Sequence, residues 1–169
     1  MPARPLVLAL LLLALAGCSP TAPSDRGPFE GVWRVAEIRY VGPDGHSTND
    51  APQSGIIVFT TRHYSMIWTP GDAPRRMFAK RWQPSPEEKI ASFDAVAANS
   101  GTYDWTGTRV TLHPIVAKSP DFMGGEALCE YHFAGDTLWI TMTRATSRDG
   151  VCDPSCVSSI TPIKLVRIE

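Results

Sequence analysis

The sequence predicts an all-β protein: an eight-stranded antiparallel up-and-down barrel with one helix between its third and fourth strands. Three observations carry this. From Gly31 onward, short runs rich in β-branched and aromatic residues alternate with turn residues. A single segment has the capping signals and apolar spacing of a helix. Short strands joined mostly by hairpins leave sticky edges unless the sheet closes on itself. A barrel of about eight strands is wide enough inside for packed side chains or one small ligand.

The first strand covers about Gly31 to Val41, where Val32, Arg34, Ala36 and Ile38 alternate with Trp33, Val35, Glu37 and Arg39. The stretch "VGPDGHSTNDAPQSG" then reads as a long loop. "GIIVFTT" and "YSMIWTP" form a hairpin turning at Arg62-His63. "PRRMFAKRW" (Pro74 to Trp82) follows as a basic, aromatic linker: a solvated loop, a lid over the barrel mouth, or a surface for anionic lipid. The helix is expected over Pro86 to Ala98. Ser85 is a good N-cap, Pro86 suits the first helical position, and Glu88 completes a capping box. Ile90, Phe93 and Ala97, with Val96 beside them, give an apolar face expected to lie on the strands and cap the barrel. Gly101 is the expected stop. Four strands follow, "TYDWTG", "TRVTLHPIV", "EALCEYHF" and "TLWITMTR", with hairpin chemistry at Thr106-Gly107 and Gly135-Asp136. "ITPIKLVRIE" supplies the last strand.

Ahead of the barrel, Arg4 precedes an apolar run from Leu6 to Ala16, the anatomy of a secretory signal peptide and too short to span a bilayer comfortably. It ends in Leu15-Ala16-Gly17-Cys18, which resembles the bacterial lipobox. The resemblance implies cleavage before Cys18 and its acylation with chains such as palmitate, several of which hold a bilayer where one binds marginally. Ser19, in place of the aspartate that favours inner-membrane retention, points to the outer membrane facing the periplasm if the source is Gram-negative. The expected organisation is a lipoprotein signal peptide (1–17), a flexible Pro/Ser/Gly-rich tether (18–28) and one barrel domain (29–169), with a monomer expected. The full chain carries a net charge of −1 and no Lys/Arg run of the kind that tracks nucleic acid, so nucleic acid is not an expected partner.

Cys129, Cys152 and Cys156 remain after lipidation. An oxidising compartment allows one disulfide, and the turn-rich "GVCDPSCVSS" favours Cys152 with Cys156. No histidine pair stands near them, so zinc spacing is poor and no metal is expected.

Gly31-x-Trp33 at the start of the first strand resembles the lipocalin signature. That resemblance implies a tryptophan plugging the closed end and an arginine stacked on it, with Arg167 the candidate and Arg144 second. Further residues resemble the bacterial and fungal lipocalin-like domain proteins, calycin-type barrels. They are Gly55 before "IIVF", Tyr64-Ser65-Met66, "SPEEKIASFDAV", Gly101-Thr102-Tyr103, "SPDFMGGE", and Gly135-Asp136 with Leu138. The chain departs from that pattern at three places. Asn99 stands where a tyrosine is common, Leu112 precedes His113 near a common histidine, and Cys129 stands where an arginine is common.

The catalytic inventory is thin: no Ser-His-Asp order and no glycine-rich phosphate loop occur, so no catalytic set and no cofactor are expected. Aromatic faces are more informative. Tyr64, Met66 and Trp68 share one strand face, Tyr103 and Trp105 another, and Tyr131 and Phe133 a third. Such faces are packed core or cavity lining. The expectation is that Tyr64, Met66, Trp68, Tyr103, Trp105, His113 and Tyr131 face one interior space that binds a small apolar or amphipathic ligand. On the strand of His113, Val110 and Leu112 compete with Arg109, Thr111 and His113 for the inside, and a bulge near Pro114 would shift the register. Two alternatives stay open: an isomerase or cyclase using His113 or Tyr103 for proton transfer, and a solidly packed structural module.

Overall fold

The alternation in "GVWRVAEIRYVG" becomes strand β1 (Gly31–Gly42), the strand on which the sheet closes. The computed structural model describes residues 27–42, 45–154 and 161–169; Cys18, the leader, most of the tether and Cys156 lie outside the described residues. After β1 come β2 (Gly45–Asn49), β3 (Ile56–Phe59), β4 (His63–Trp68), helix α1 (Pro86–Asp94), β5 (Ala97–Thr106) and β6 (Arg109–Ala117). A 3-10 turn (Pro120–Phe122), β7 (Glu126–Ala134), β8 (Thr137–Thr146) and β9 (Pro162–Arg167) complete the order. Neighbours run antiparallel in the order β1-β3-β4-β5-β6-β7-β8-β9, and β9 pairs back onto β1, so eight strands close a barrel.

Strand β2 was not expected. Its residues "GHSTN" are polar and mostly exposed, so no apolar alternation marks them. They pair with the far half of β1, from Ile38 opposite Asn49 to Gly42 opposite Gly45. The helix therefore follows the fourth strand in chain order rather than the third.

The two ends of the barrel differ. Tight turns join β3 to β4, β5 to β6 and β7 to β8 at one end, where Gly27–Glu30 and Glu169 also lie. The other end carries the long connections, with β2, α1, the 3-10 turn and the Cys152 loop.

Three bulges let strands switch which residues face inward. On β1 the register shifts between Val35 and Glu37, so Trp33 and Val35 are buried and then Ile38, on the opposite parity. On β6 the pairing skips Ile115: Gly101 opposes Pro114 and Ser100 opposes Val116. On β8 it skips Thr143, which lets both Ile140 and Ala145 be buried. A Cβ on Gly101 would fall on the His113 carbonyl oxygen, so the bulge opposite demands glycine there. Gly101 thus serves the sheet and is not the helix stop.

Helix α1 starts as expected. Ser85 caps it, Glu88 N donates to Ser85 Oγ at 3.2 Å, and the Glu88 carboxylate accepts from Ser85 N at 2.8 Å. It ends at Asp94 rather than Ala98, because Ala97 and Ala98 pair with Trp68 and Ile67 on β4. Its apolar face does not cover the barrel: Ile90 is 63% and Phe93 52% exposed, and no residue of the helix is buried. Lys118 holds its end, donating from Nζ to the Phe93 carbonyl at 3.0 Å and lying 4.5 Å from the Phe93 ring centroid.

The tight-turn end is plugged. Trp33 is fully buried, and its Nε1 donates to the Phe29 carbonyl at 2.7 Å. That bond places the Phe29 ring among Phe59, Tyr103, Trp105, Tyr131 and Phe133, the nearest centroid (Tyr131) 4.6 Å away. The Arg167 guanidinium lies 4.2 Å from the Trp33 ring centroid and donates to the carbonyls of Glu30 and Pro28. Gly31 has φ +139°, and a Cβ there would strike the Glu169 carbonyl and Arg167 Nη1. Arg144 stands at a different place, on β8 opposite Leu128.

Trp33→Ala is expected to cost about 3–5 kcal/mol as a large-to-small core change. Arg167→Ala should cost less, and urea denaturation of both single variants and the double variant should show coupling. Additivity would mean that the guanidinium contributes nothing through the indole.

Candidate functional site

Side-chain size grades along the inward faces. Down β5 the sequence runs Ala97, Asn99, Gly101, Tyr103, Trp105, and down β7 it runs Ala127, Cys129, Tyr131, Phe133. Both pass from small residues at the long-loop end to large rings at the plugged end. The large rings fill their half of the barrel, and the small residues leave the other half empty. The result is a cavity of about 800 Å³ that opens among the long connections.

Its walls are mainly apolar. Ile57, Met66, Trp68, Leu112, Ala127, Ile140, Met142, Ala145 and Ile163 come from six strands of the barrel wall and their neighbours, and Phe122 from the 3-10 turn. Polar groups are few inside and denser at the rim. Tyr40 and Asn99 lie on the walls, and Ser119, Asp121, Ser147, Asp149 and Asp153 surround the opening. Among the described lining residues none is Lys, Arg or His. Asn99 Oδ1 accepts a 2.6 Å hydrogen bond from the Tyr64 hydroxyl, and Tyr40 Oη accepts one of 3.0 Å from Gly71 N, which ties the β4–α1 loop to the rim.

The seven residues singled out from the sequence are not gathered in one space. Met66 and Trp68 line the cavity. Tyr64 is buried in the core and reaches the cavity wall through Asn99. Tyr103, Trp105 and Tyr131 belong to the plug around Phe29, with the Tyr103 hydroxyl donating to Thr60 O at 2.7 Å and that of Tyr131 to Gly107 O at 2.8 Å. Trp105 is 38% exposed. His113 faces outward. Val110, Leu112 and Pro114 take the inside of β6, and the bulge at Ile115 comes after His113, too late to turn it in. The His113 Nε2 lies 3.2 Å from the Asp104 carboxylate on the outer wall. Helix α1 supplies no lining residue.

Residues that the sequence reading did not assign to a site include Ile57, Ile140, Ala127 and Ala145. The size gradient along β5 and β7 was the available signal. Asn99, Leu112 and Cys129, the places where the chain departs from the pattern it resembles, all line the cavity. Cys152 sits on the rim, bridged to Thr146, while its expected partner Cys156 lies outside the described residues.

Burial acts on two phenols. That of Tyr64 is raised well above the ordinary value, chiefly by desolvation and secondarily by Cys129. That of Tyr103 is pushed up to about 12, again mainly by desolvation, with Glu30 adding to it. A raised folded-state pKa means that the unfolded chain loses its protons first. Stability is then intact below the ordinary value of 10.0 and falls as pH climbs toward 12 and beyond. Phenolate absorbance is expected to rise together with unfolding for these two tyrosines. Tyr64→Phe should make the alkaline fall shallower while costing about 1 kcal/mol near neutrality for the lost hydrogen bond to Asn99.

Comparison with curated proteins and with solved structures found no match. The family described as the lipocalin-like domain matches residues 30–151, a span from the end of the plug segment through β8. With a closed barrel, a plugged end and a match over most of its length, the chain belongs to the lipocalin-like domain family.

Proposed function

We propose that the protein is a lipid-anchored binding protein that holds a small apolar or amphipathic molecule in the open half of its barrel. The observation that carries the reading is the cavity: about 800 Å³, walled mainly by apolar side chains, above a packed aromatic floor. Ligand sites are commonly about 300–1,000 Å³ and apolar with a few placed polar groups. A solidly packed module has no use for the size gradient along β5 and β7. The isomerase or cyclase reading is the weaker one, since His113 and Tyr103 do not line the space where a substrate would sit.

The lining also bears on the ligand's charge. A buried carboxylate or phosphate needs a cation or several donors, because transferring an unpaired ion from water is very costly. Cys129 stands where the resembling proteins often carry arginine, and no described lining residue is basic. The ligand is therefore neutral inside the barrel, with any charged group left at the rim. Anchoring at the outer membrane is part of the proposal and rests on the Leu15-Ala16-Gly17-Cys18 sequence.

A neutral environment-sensitive apolar dye is expected to bind and to change Trp68 fluorescence. Ala127→Phe, which puts a ring into the void, should weaken that binding at least about tenfold, or about 1.4 kcal/mol, with the fold retained by circular dichroism. Equal dye binding in both proteins would place the site elsewhere. For the anchor, Cys18→Ser should abolish incorporation of a labelled fatty acid and shift the chain out of the membrane fraction. Equal labelling of the wild type and the variant would refute lipidation at Cys18.

A further inference from the structure

The linker from Pro74 to Gln83 contains Arg75, Arg76, Lys80 and Arg81 and no acidic residue. Within it Met77 is 77% exposed and Trp82 93% exposed. Trp82 has φ +62°, and it is the one non-glycine residue with positive φ among those described. A bulky side chain in that conformation costs conformational energy and needs its surroundings to hold it.

The surroundings do hold it. Gln83 N donates to Lys80 O at 3.0 Å and closes the turn that carries Trp82. Glu88 ties the linker to the helix start, accepting from Ala79 N at 2.8 Å. Gln53 pins the other end, donating from Nε2 to Ala73 O and accepting from Arg75 N at 3.1 Å. An exposed indole is thus carried on an ordered turn, next in sequence to Lys80 and Arg81, and followed by the exposed Ile90 and Phe93 of α1. Water is a poor medium for such a group. A membrane interface suits it, because Trp places its apolar body among acyl chains and its N–H among headgroups, while Lys and Arg meet lipid phosphates.

We infer that the Pro74–Trp82 loop is a docking surface for an anionic lipid bilayer, with Trp82 as the inserting residue and the exposed Met77 on the same loop. The charge decides the partner: Arg75, Arg76, Lys80 and Arg81 outnumber the one carboxylate bonded to the loop, that of Glu88 on Ala79 N, and their excess positive charge complements an anionic surface. The loop begins four residues after Pro70, which lines the cavity, on the connection that follows β4 at the open end, so docking brings the barrel opening to the bilayer. It does not require the proposed anchor but is compatible with it. The chain joins the barrel at Gly27, at the opposite end, and the stretch back to Cys18 reaches about 30 Å when extended. A strand as long as β5 rises roughly 25 Å at the tilt usual in barrels, so an anchored barrel can tip its rim onto the same membrane.

The test uses the chain beginning at Ser19, which lacks the acyl chains and retains every described strand and helix. Co-sedimentation is measured with vesicles of phosphatidylcholine alone and of phosphatidylcholine and phosphatidylglycerol in equal parts. The expected result is binding to the anionic vesicles only, weakened by salt, with a blue shift of tryptophan emission. Trp82→Gly, which suits the positive φ, should remove the shift and most of the binding at unchanged melting temperature. Arg75→Gln with Arg76→Gln should weaken binding by roughly five-fold per charge removed. Equal binding to both vesicle types, or none to either, overturns the proposal. So does a Trp82→Gly variant that binds vesicles normally but takes up the apolar dye at a changed rate, which would make the loop a lid. Binding to a single-stranded oligonucleotide in preference to the anionic vesicles overturns it too, in favour of a nucleic-acid surface.

Discussion

The closed end hangs on one requirement: the buried Trp33 indole N–H must find an acceptor. Leaving such a donor unsatisfied costs roughly 1–3 kcal/mol. The acceptor is the Phe29 carbonyl, four residues back along the chain. Taking that bond folds residues 27–30 under the barrel and drives the Phe29 ring onto its axis. The carbonyls of Pro28 and Glu30 are then met by Arg167, whose guanidinium also covers the indole. One side chain of β9 thereby binds the segment before β1 to the end of the chain, across 137 residues in the case of Glu30. The β1–β9 ladder, which closes the sheet, and this knot fix each other's register.

Above that knot, the barrel is shaped by where its strands break their own period. A strand without a bulge sends alternate residues inward along its whole length. With a bulge in β1, β6 and β8, the inner face changes parity partway, which curves each strand and changes the residues that meet near the open end. The bulge of β8 turns Ala145 inward where unbroken alternation would have placed Arg144. A guanidinium there would have put a cation into the mainly apolar wall. The bulge therefore contributes directly to the apolar character of the cavity.

This explains what could be read from the residues alone. The eight barrel strands, the capping box of α1 and the hairpin turns at Gly107 and Gly135 are local patterns, and local patterns survive in the fold. The Trp33–Arg167 stacking geometry is not local, and in the sequence only the resemblance to the lipocalin signature links those two residues. Parity arguments held on β4, β5 and β7, which lack the skipped residue, and failed for His113, where the sequence hints at a bulge but does not say on which side of Pro114 it falls. Phe29 opens the barrel domain in the sequence, but its role as the plug is not legible there, because a single aromatic before a strand carries no periodic signal. Strand β2 escaped for the opposite reason: an exposed edge strand of polar residues looks like a loop, and a polar edge also discourages pairing with another chain. The helix face, which amphipathic spacing assigned to the barrel, is exposed because the sheet is already closed beneath it and the cap bonds, with Lys118, hold the short helix in place.

The open rim is not electrically uniform. In a ring of eight strands, β4 and β8 stand four apart, so the loops that follow them rise from opposite sides of the mouth. The loop after β4 carries Arg75, Arg76, Lys80 and Arg81 against Asp72. The one after β8 carries Asp149 and Asp153 against Arg148, and Asp121 on the 3-10 turn adds to the acidic side. An anionic surface attracts the first side and repels the second. At physiological salt such fields reach only about 8 Å, so they act once the rim is close and then set its tilt. A barrel approaching a bilayer would come down on the β4 side with the acidic side lifted. The cavity opening would then be oblique to the membrane, with Trp68 and Met66 on the wall nearest the lipid. A neutral apolar molecule leaving the acyl chains would meet those two side chains first, and the aspartates on the far rim would face water, where their charge costs least.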